Sequence, residues 1–134
     1  MLARIDAVAT TDVALSVSDL TVSLPLDMER QYAVENLSFD LKRGQILCII
    51  GESGSGKSVT ANAIMGLLPK VIRVTGGAID LEGRSIMGLP AGELRSLRGR
   101  VVSMIFQDPL SALNPLMTVG DQITEVMAAH GIGT

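Results

Sequence analysis

The chain has 134 residues, the size of one small domain, and 47% of them are apolar with two Phe, one Tyr and no Trp. A core of Val, Ile, Leu, Met and Ala must follow, which suits strands covered on both faces by helices better than a small β-sandwich. A formal charge of −3 and no block of like charges exclude a nucleic-acid-binding tail, and the lone Cys48 excludes an internal disulfide.

From the N-terminus, residues 1–12 carry Arg4, Asp6 and Asp12 and no apolar stretch typical of a signal peptide. No apolar run approaches the roughly 20 residues needed to span a bilayer. Residues 13–24 alternate apolar and polar in places, predicting one or two half-buried strands. Residues 25–31 form a polar connection. A second alternating strand is expected over residues 34–42, with Val34, Leu37, Phe39 and Leu41 on its apolar positions, and Arg43-Gly44 turns the chain. Ile46-Leu47-Cys48-Ile49-Ile50 is continuously apolar, the pattern of a strand buried on both faces, where Cys48 serves as packing.

A glycine-rich loop follows at once. Residues 59–68 then place Ile64, Leu67 and Leu68 at helical spacing, and Pro69 ends the run. Residues 76–83 read as a short strand between turns, and residues 93–98 as a short helix. Arg84, Arg95, Arg98 and Arg100 make a loose basic stretch, read as solvated surface. Residues 101–106 suggest another buried strand and residues 108–115 a loop with two prolines. Thr118-Val119-Gly120-Asp121 resembles a capping box and opens a helix with Val119, Ile123, Val126 and Met127 on one face.

The glycine loop carries the chemistry. Gly51-Glu52-Ser53-Gly54-Ser55-Gly56-Lys57-Ser58 matches G-x-x-x-x-G-K-[ST] in full. Glycines allow backbone shapes closed to other residues, so successive N–H groups can point inward as an anion nest. The helix starting near Lys57 adds its positive end. Lys57 brings a full charge to the β- and γ-phosphates of a nucleoside triphosphate, read as ATP. Ser58 offers a hydroxyl to Mg²⁺, which favours hard oxygen ligands. By accident the four fixed positions would coincide in roughly 0.5% of chains this long, given average glycine usage.

Leu41-Lys42-Arg43-Gly44-Gln45-Ile46 leading into this loop resembles ATP-binding-cassette (ABC) transporter ATPases. Met104-Ile105-Phe106-Gln107-Asp108-Pro109 resembles that family's Q-loop. Residues 110–123, from Leu110-Ser111-Ala112-Leu113-Asn114-Pro115 to Gln122-Ile123, resemble the oligopeptide/dipeptide importer branch. The resemblance covers about residues 13–130. It implies an α/β fold: a P-loop NTPase with an incomplete ABC-type nucleotide-binding domain. An N-terminal antiparallel β subdomain would span residues 13–45, a P-loop core 46–106, and the Q-loop with the start of the helical subdomain 107–134, after a tail at 1–12.

By the same resemblance Gln107 contacts Mg²⁺ and the attacking water and senses the γ-phosphate. Lys57 and Gln107 are then the catalytic candidates. The implied activity is ATP hydrolysis coupled to uptake of peptides or related small solutes. The implied partners are transmembrane permease subunits, a second ATPase subunit (the same or a different chain) and, indirectly, a solute-binding protein, with no nucleic acid. The implied place is the cytoplasmic face of the inner membrane, as a peripheral protein. Residues 101–106 followed by Asp108 also fit a different reading, a Walker B strand with Asp108 on Mg²⁺. Ser103 interrupts that run, and Asp108-Pro109 begins a turn more naturally.

Some family features do not match. The family's LSGGQ-like signature, its Walker B strand ending in Asp-Glu and its switch His find no counterpart, and His130 precedes where a signature would fall. His130 reads instead as a residue near a helix C-terminus. The chain is expected to be the N-terminal half of a cassette, binding nucleotide weakly and hydrolysing it poorly by itself. No aromatic falls near residues 23–25, where the family usually stacks adenine. Tyr32 is the nearest candidate, and a ring packed beside a strand is an equal reading. A soluble ABC-type ATPase and a non-catalytic nucleotide-binding fragment stay open as alternatives.

Overall fold

A computed structural model describes residues 12–133, so the tail expected over 1–12 lies outside the described residues except for Asp12. The first two strands are β1 (Val13–Ser23) and β2 (Tyr32–Lys42). Then come β3 (Arg73–Leu81) and β4 (Arg84–Ser85). They form one sheet in the order β2-β1-β3-β4, antiparallel throughout. β4 returns from β3 through Glu82 and Gly83, both at positive φ, the geometry of a tight hairpin.

The imperfect alternation of these strands has a structural cause. In β1 the buried positions are Val17, Leu20 and Val22, with a spacing of three and then two. Between Val17 and Leu20 the chain takes one extra residue relative to both neighbours: Val17 faces Phe39 and Ile79, while Leu20 faces Leu37 and Thr21 faces Gly76. This is a β-bulge, and it restores the inward face after Ser18. Asp19 bears the strain at φ 48°. A matching extra residue sits in β2 between Val34 and Leu37, where Asn36 has φ 49°. β3 gains one between Val74 and Gly76. Asp and Asn tolerate this left-handed region better than most residues.

Side chains take over the backbone groups that the bulges displace. Ser38 Oγ accepts from the Asp19 N–H at 2.8 Å, and Thr21 Oγ1 accepts from the Asn36 N–H at 3.2 Å. Beside them Gly77 has φ 86°, and a Cβ there would run into the Ser18 carbonyl. The slips therefore align one core: Val17, Leu20, Val22, Ile79 and Leu81, joined by Ala33, Val34, Ala63, Met65 and Ile86. Full burial of Leu20 or Ile79 contributes about 1.5–3 kcal/mol each.

Helix α1 (Lys57–Met65) lies against β2, and Thr60, Ala63 and Met65 are its buried residues. It is shorter than the expected 59–68. Gly66, at φ 63°, closes it ahead of Pro69 with its N–H on the Ala63 carbonyl.

Residues 46–50 depart from expectation. They form no strand, Ile46 and Ile50 are each 94% exposed, and Cys48 is exposed. Residues 101–106 likewise form no strand beyond a single bridge between Arg98 and Val102, with Ile105 94% exposed. Both runs carry the composition of strands buried in a parallel sheet, which need hydrogen-bonded neighbours and a cover on each face. Among the described residues no strand pairs with residues 46–50, and Ile46 and Ile50 stay almost fully in water while Leu47 and Ile49 are partly covered.

The chain divides into two compact units, Met1–Pro90 and Ala91–Thr134. The second holds α2 (Ala91–Leu97), a short 3₁₀ turn at Leu110–Ala112 and α3 (Val119–Ala129). α3 begins as its sequence indicates. Thr118 Oγ1 accepts from the Asp121 N–H at 3.1 Å and donates to the Asp121 carboxylate at 2.7 Å. His130 stands at its C-cap.

Gly77→Ala is expected to cost about 2 kcal/mol or more, through backbone strain and the clash with the Ser18 and Asp19 backbone. Gly76→Ala, where a Cβ would make only ordinary contact with Thr21 at 3.5 Å, should cost under about 1 kcal/mol. Urea unfolding of the pair measures both, and equal losses would remove the bulge account. Separately, Cys48 should react with a thiol reagent in the native chain as fast as in the denatured one; strong protection would show that residues 46–50 are covered.

Candidate functional site

The glycine loop sits between an exposed segment and the start of α1, and the sheet holds its far end. Gly56 is the N-cap of α1 at φ 93°. A Cβ on it would collide with the Ala33 carbonyl and come within 2.9 Å of Val34 Cγ2. Glycine is thus required twice, for conformation and for the close approach to β2. Thr60, only 2% exposed, fastens the same junction: its hydroxyl donates to the Gly56 carbonyl at 2.9 Å and its N–H at 2.8 Å. At the other end, a Cβ on Gly51 would lie 2.5 Å from Ser55 Oγ. The loop closes through the Ser55 N–H on the Glu52 carbonyl at 3.2 Å.

Lys57 turns back into this loop. Its ammonium donates to the carbonyls of Gly51 and Glu52, both at 2.6 Å, and to Ser55 Oγ at 3.1 Å. An ammonium has three protons, and here all three go to oxygens of the loop itself. The N-terminus of α1 has no side-chain cap and no acidic residue in its first turn. Its leading N–H groups therefore add positive potential at the loop without an internal carboxylate to offset it. Glu52, Ser53, Gly54, Ser55 and Ser58 are exposed, while Gly56 and Lys57 are half-buried. The structure thus brings residues 51–58 together as one cradle with a cation inside, a donor set that suits phosphate oxygens. The exposed hydroxyl of Ser58 supplies a hard oxygen of the kind Mg²⁺ accepts.

Arg30 was not legible as part of this region. Its guanidinium donates to the Gly54 carbonyl at 2.6 Å, the Tyr32 carbonyl at 3.0 Å and the Ala33 carbonyl at 3.2 Å. In the sequence it is one charge in a polar connection, and no motif marks it. Tyr32 is half-buried at the first position of β2, paired with Ser23.

In the second unit, Gln107 is exposed and borders a shallow pocket with Phe106, Asp108, Ser111 and Ala112. Ser111 Oγ caps the turn by donating to the Asp108 carbonyl at 2.9 Å. The segment after it is fixed by Gln122. That side chain accepts from the Asn114 N–H at 3.0 Å and donates to the carbonyls of Asn114 and Met117 at 3.1 and 3.2 Å. Asn114 Oδ1 in turn accepts from the Leu116 N–H at 3.0 Å. The polar residues of the importer-like segment thus shape a loop in front of α3. Among the described residues no helix is long and apolar enough to cross a membrane.

The family model for the ABC transporter matches residues 34–132. The chain belongs to the ABC transporter family. Among its curated relatives, the oligopeptide transport ATP-binding protein OppD of Escherichia coli (strain K12) is 49% identical over 119 residues, covering 89% of this chain and 35% of that protein. The dipeptide transport ATP-binding protein DppD of Bacillus subtilis (strain 168) is 48% identical over 117 residues, covering 87% of this chain and 35% of that protein. The chain therefore spans about a third of the length of the curated relatives it matches. Among solved structures, cbiO1 from Clostridium perfringens, part of the ABC transporter complex cbiONQ, shares the fold. Its TM-score is 0.58 at 23% identity, over 90% of this chain and 51% of that one.

Gly56→Ala should destabilise the chain by about 2–3 kcal/mol, since it adds a clash to an unfavourable φ. Gly54→Ala has an equally positive φ of 79° but meets nothing within 4 Å, and should cost about 1 kcal/mol. Denaturant unfolding of both variants checks this; equal losses would show that the contact with β2 does not matter.

Proposed function

We propose that this chain binds ATP with Mg²⁺ through residues 51–58, as the nucleotide-binding part of an ABC importer ATPase. In the whole assembly, ATP binding and hydrolysis would drive uptake of peptides or related small solutes. The observation that carries the reading is the Lys57 ammonium seated among the loop's own carbonyls at the start of α1. Neutral carbonyl oxygens hold that ammonium less strongly than anionic ones, so phosphate oxygens are favoured replacements. Glycine-rich loops of this kind can also turn N–H groups toward the same charge.

Ser58 is the proposed protein ligand to Mg²⁺. Bound beside the phosphates, Mg²⁺ neutralises charge that develops during phosphoryl transfer. For Gln107 we keep the role that the family resemblance implies, contact with the metal and the attacking water. Its place on an exposed turn held by Ser111 suits a group that reports ligand state to a neighbour. Tyr32 remains the candidate for stacking on adenine. No general base is assigned within this chain.

The names of the relatives support a peptide substrate for the transporter. The proposed partners are transmembrane permease subunits, a second ATPase subunit facing this one and, through the permease, a solute-binding protein. The proposed place is the cytoplasmic face of the inner membrane, held peripherally.

Titration of the chain with ATP in the presence of Mg²⁺ tests the site. Lys57→Ala is expected to weaken affinity by at least about tenfold, the loss of one charge-assisted contact. Equal affinity in the two proteins would sink the phosphate-loop assignment. Co-purification with a permease tests the transport reading independently.

A further inference from the structure

We propose that Arg30 is a positioning residue for nucleotide binding, fixing the peptide unit between Gly54 and Ser55 so that the Ser55 N–H faces into the phosphate loop. The proposal rests on the phosphate-binding reading of residues 51–58. All three partners of the guanidinium are main-chain carbonyls, those of Tyr32, Ala33 and Gly54. Arg30 therefore recognises a backbone arrangement and depends on no partner side chain. Two of the carbonyls belong to the first residues of β2, and pairing of Tyr32 with Ser23 holds that end of the strand. The third belongs to the loop.

Geometry converts this clamp into orientation. The guanidinium is planar and its donors form a rigid fork, so anchoring Nε and Nη2 on β2 decides where Nη1 points. It points at the Gly54 oxygen, 2.6 Å away. In a trans peptide the C=O and N–H of one unit face opposite ways, and no cis peptide occurs among the described residues. Drawing the Gly54 carbonyl outward to Arg30 thus sends the Ser55 N–H inward, where it donates to the Glu52 carbonyl. Among the described residues, the Arg30 contact is the shorter of the two hydrogen bonds on this unit. Gly54 is exposed, and even a Cβ there would touch nothing within 4 Å. A glycine so placed turns its peptide easily. The turned unit would present a carbonyl oxygen, and not an N–H, to an incoming phosphate.

The clamp also joins two regions. One guanidinium holds the loop and the backbone of Tyr32, so the segment carrying the candidate adenine-stacking ring is tied to the phosphate side.

The test compares Arg30→Ala, Arg30→Gln and Arg30→Lys with the parent protein, using two probes with Mg²⁺: ATP and inorganic tripolyphosphate. Arg30→Ala should weaken both probes by a similar factor, about tenfold, in line with loss of charge-assisted contacts. Arg30→Lys should recover only part of the loss, because a point charge cannot bridge three carbonyls. Arg30→Gln keeps a donor and serves if the alanine variant does not fold. Weakened ATP binding with unchanged tripolyphosphate binding would overturn the proposal, since Arg30 would then act on the nucleoside. So would a lowered melting temperature without ligand alongside unchanged affinity for both probes. Failure of the parent protein to bind either probe would instead overturn the phosphate-loop reading, and this inference with it.

Discussion

Side chains alternate across a strand with a period of two, so one added residue exchanges a strand's faces. Three paired strands can keep a single buried face through such a slip only if they take their added residues at nearly the same level. β1, β2 and β3 do so around Asp19, Asn36 and Thr75. The rest of the first unit depends on that agreement. It puts Leu20 and Val22 back into the core, holds the start of β2, and so provides the surface of Ala33 and Val34 on which Gly56 lies. The glycine loop is shaped by the sheet at a contact too tight for any side chain.

That loop is held by hydrogen bonds within the first unit. Lys57 satisfies the carbonyls that crowd its mouth, Thr60 ties its end to α1, and Arg30 holds its outer side. The interactions that maintain this shape run mostly to backbone atoms, which makes the arrangement robust to changes in neighbouring side chains.

The same distinction explains what the sequence could reveal. Residues 51–58 were legible because each required residue type there has a separate physical task. The cap at Thr118 was legible for the same reason. The strands over 13–24 and 34–42 were legible but their bulges were not read, although Val17 to Leu20 and Val34 to Leu37 are spaced by three and each break holds an Asp or Asn. Residues 46–50 misled. A continuous apolar run states a need for burial and says nothing about whether a neighbouring strand is at hand. Arg30 was silent because its partners are carbonyls, which every residue carries, and no spacing pattern can single them out.

The exposed run Ile46-Leu47-Cys48-Ile49-Ile50 has a consequence for this 134-residue chain when it is handled by itself. It is rich in β-branched residues, uncharged and free of proline, the composition that stacks readily with identical copies. Such a segment makes self-association rise with concentration even when the remainder of the fold is sound. Solubility is then governed by how soon this short run is covered, and a single charge placed within it would act as a gatekeeper against fibre-like assembly.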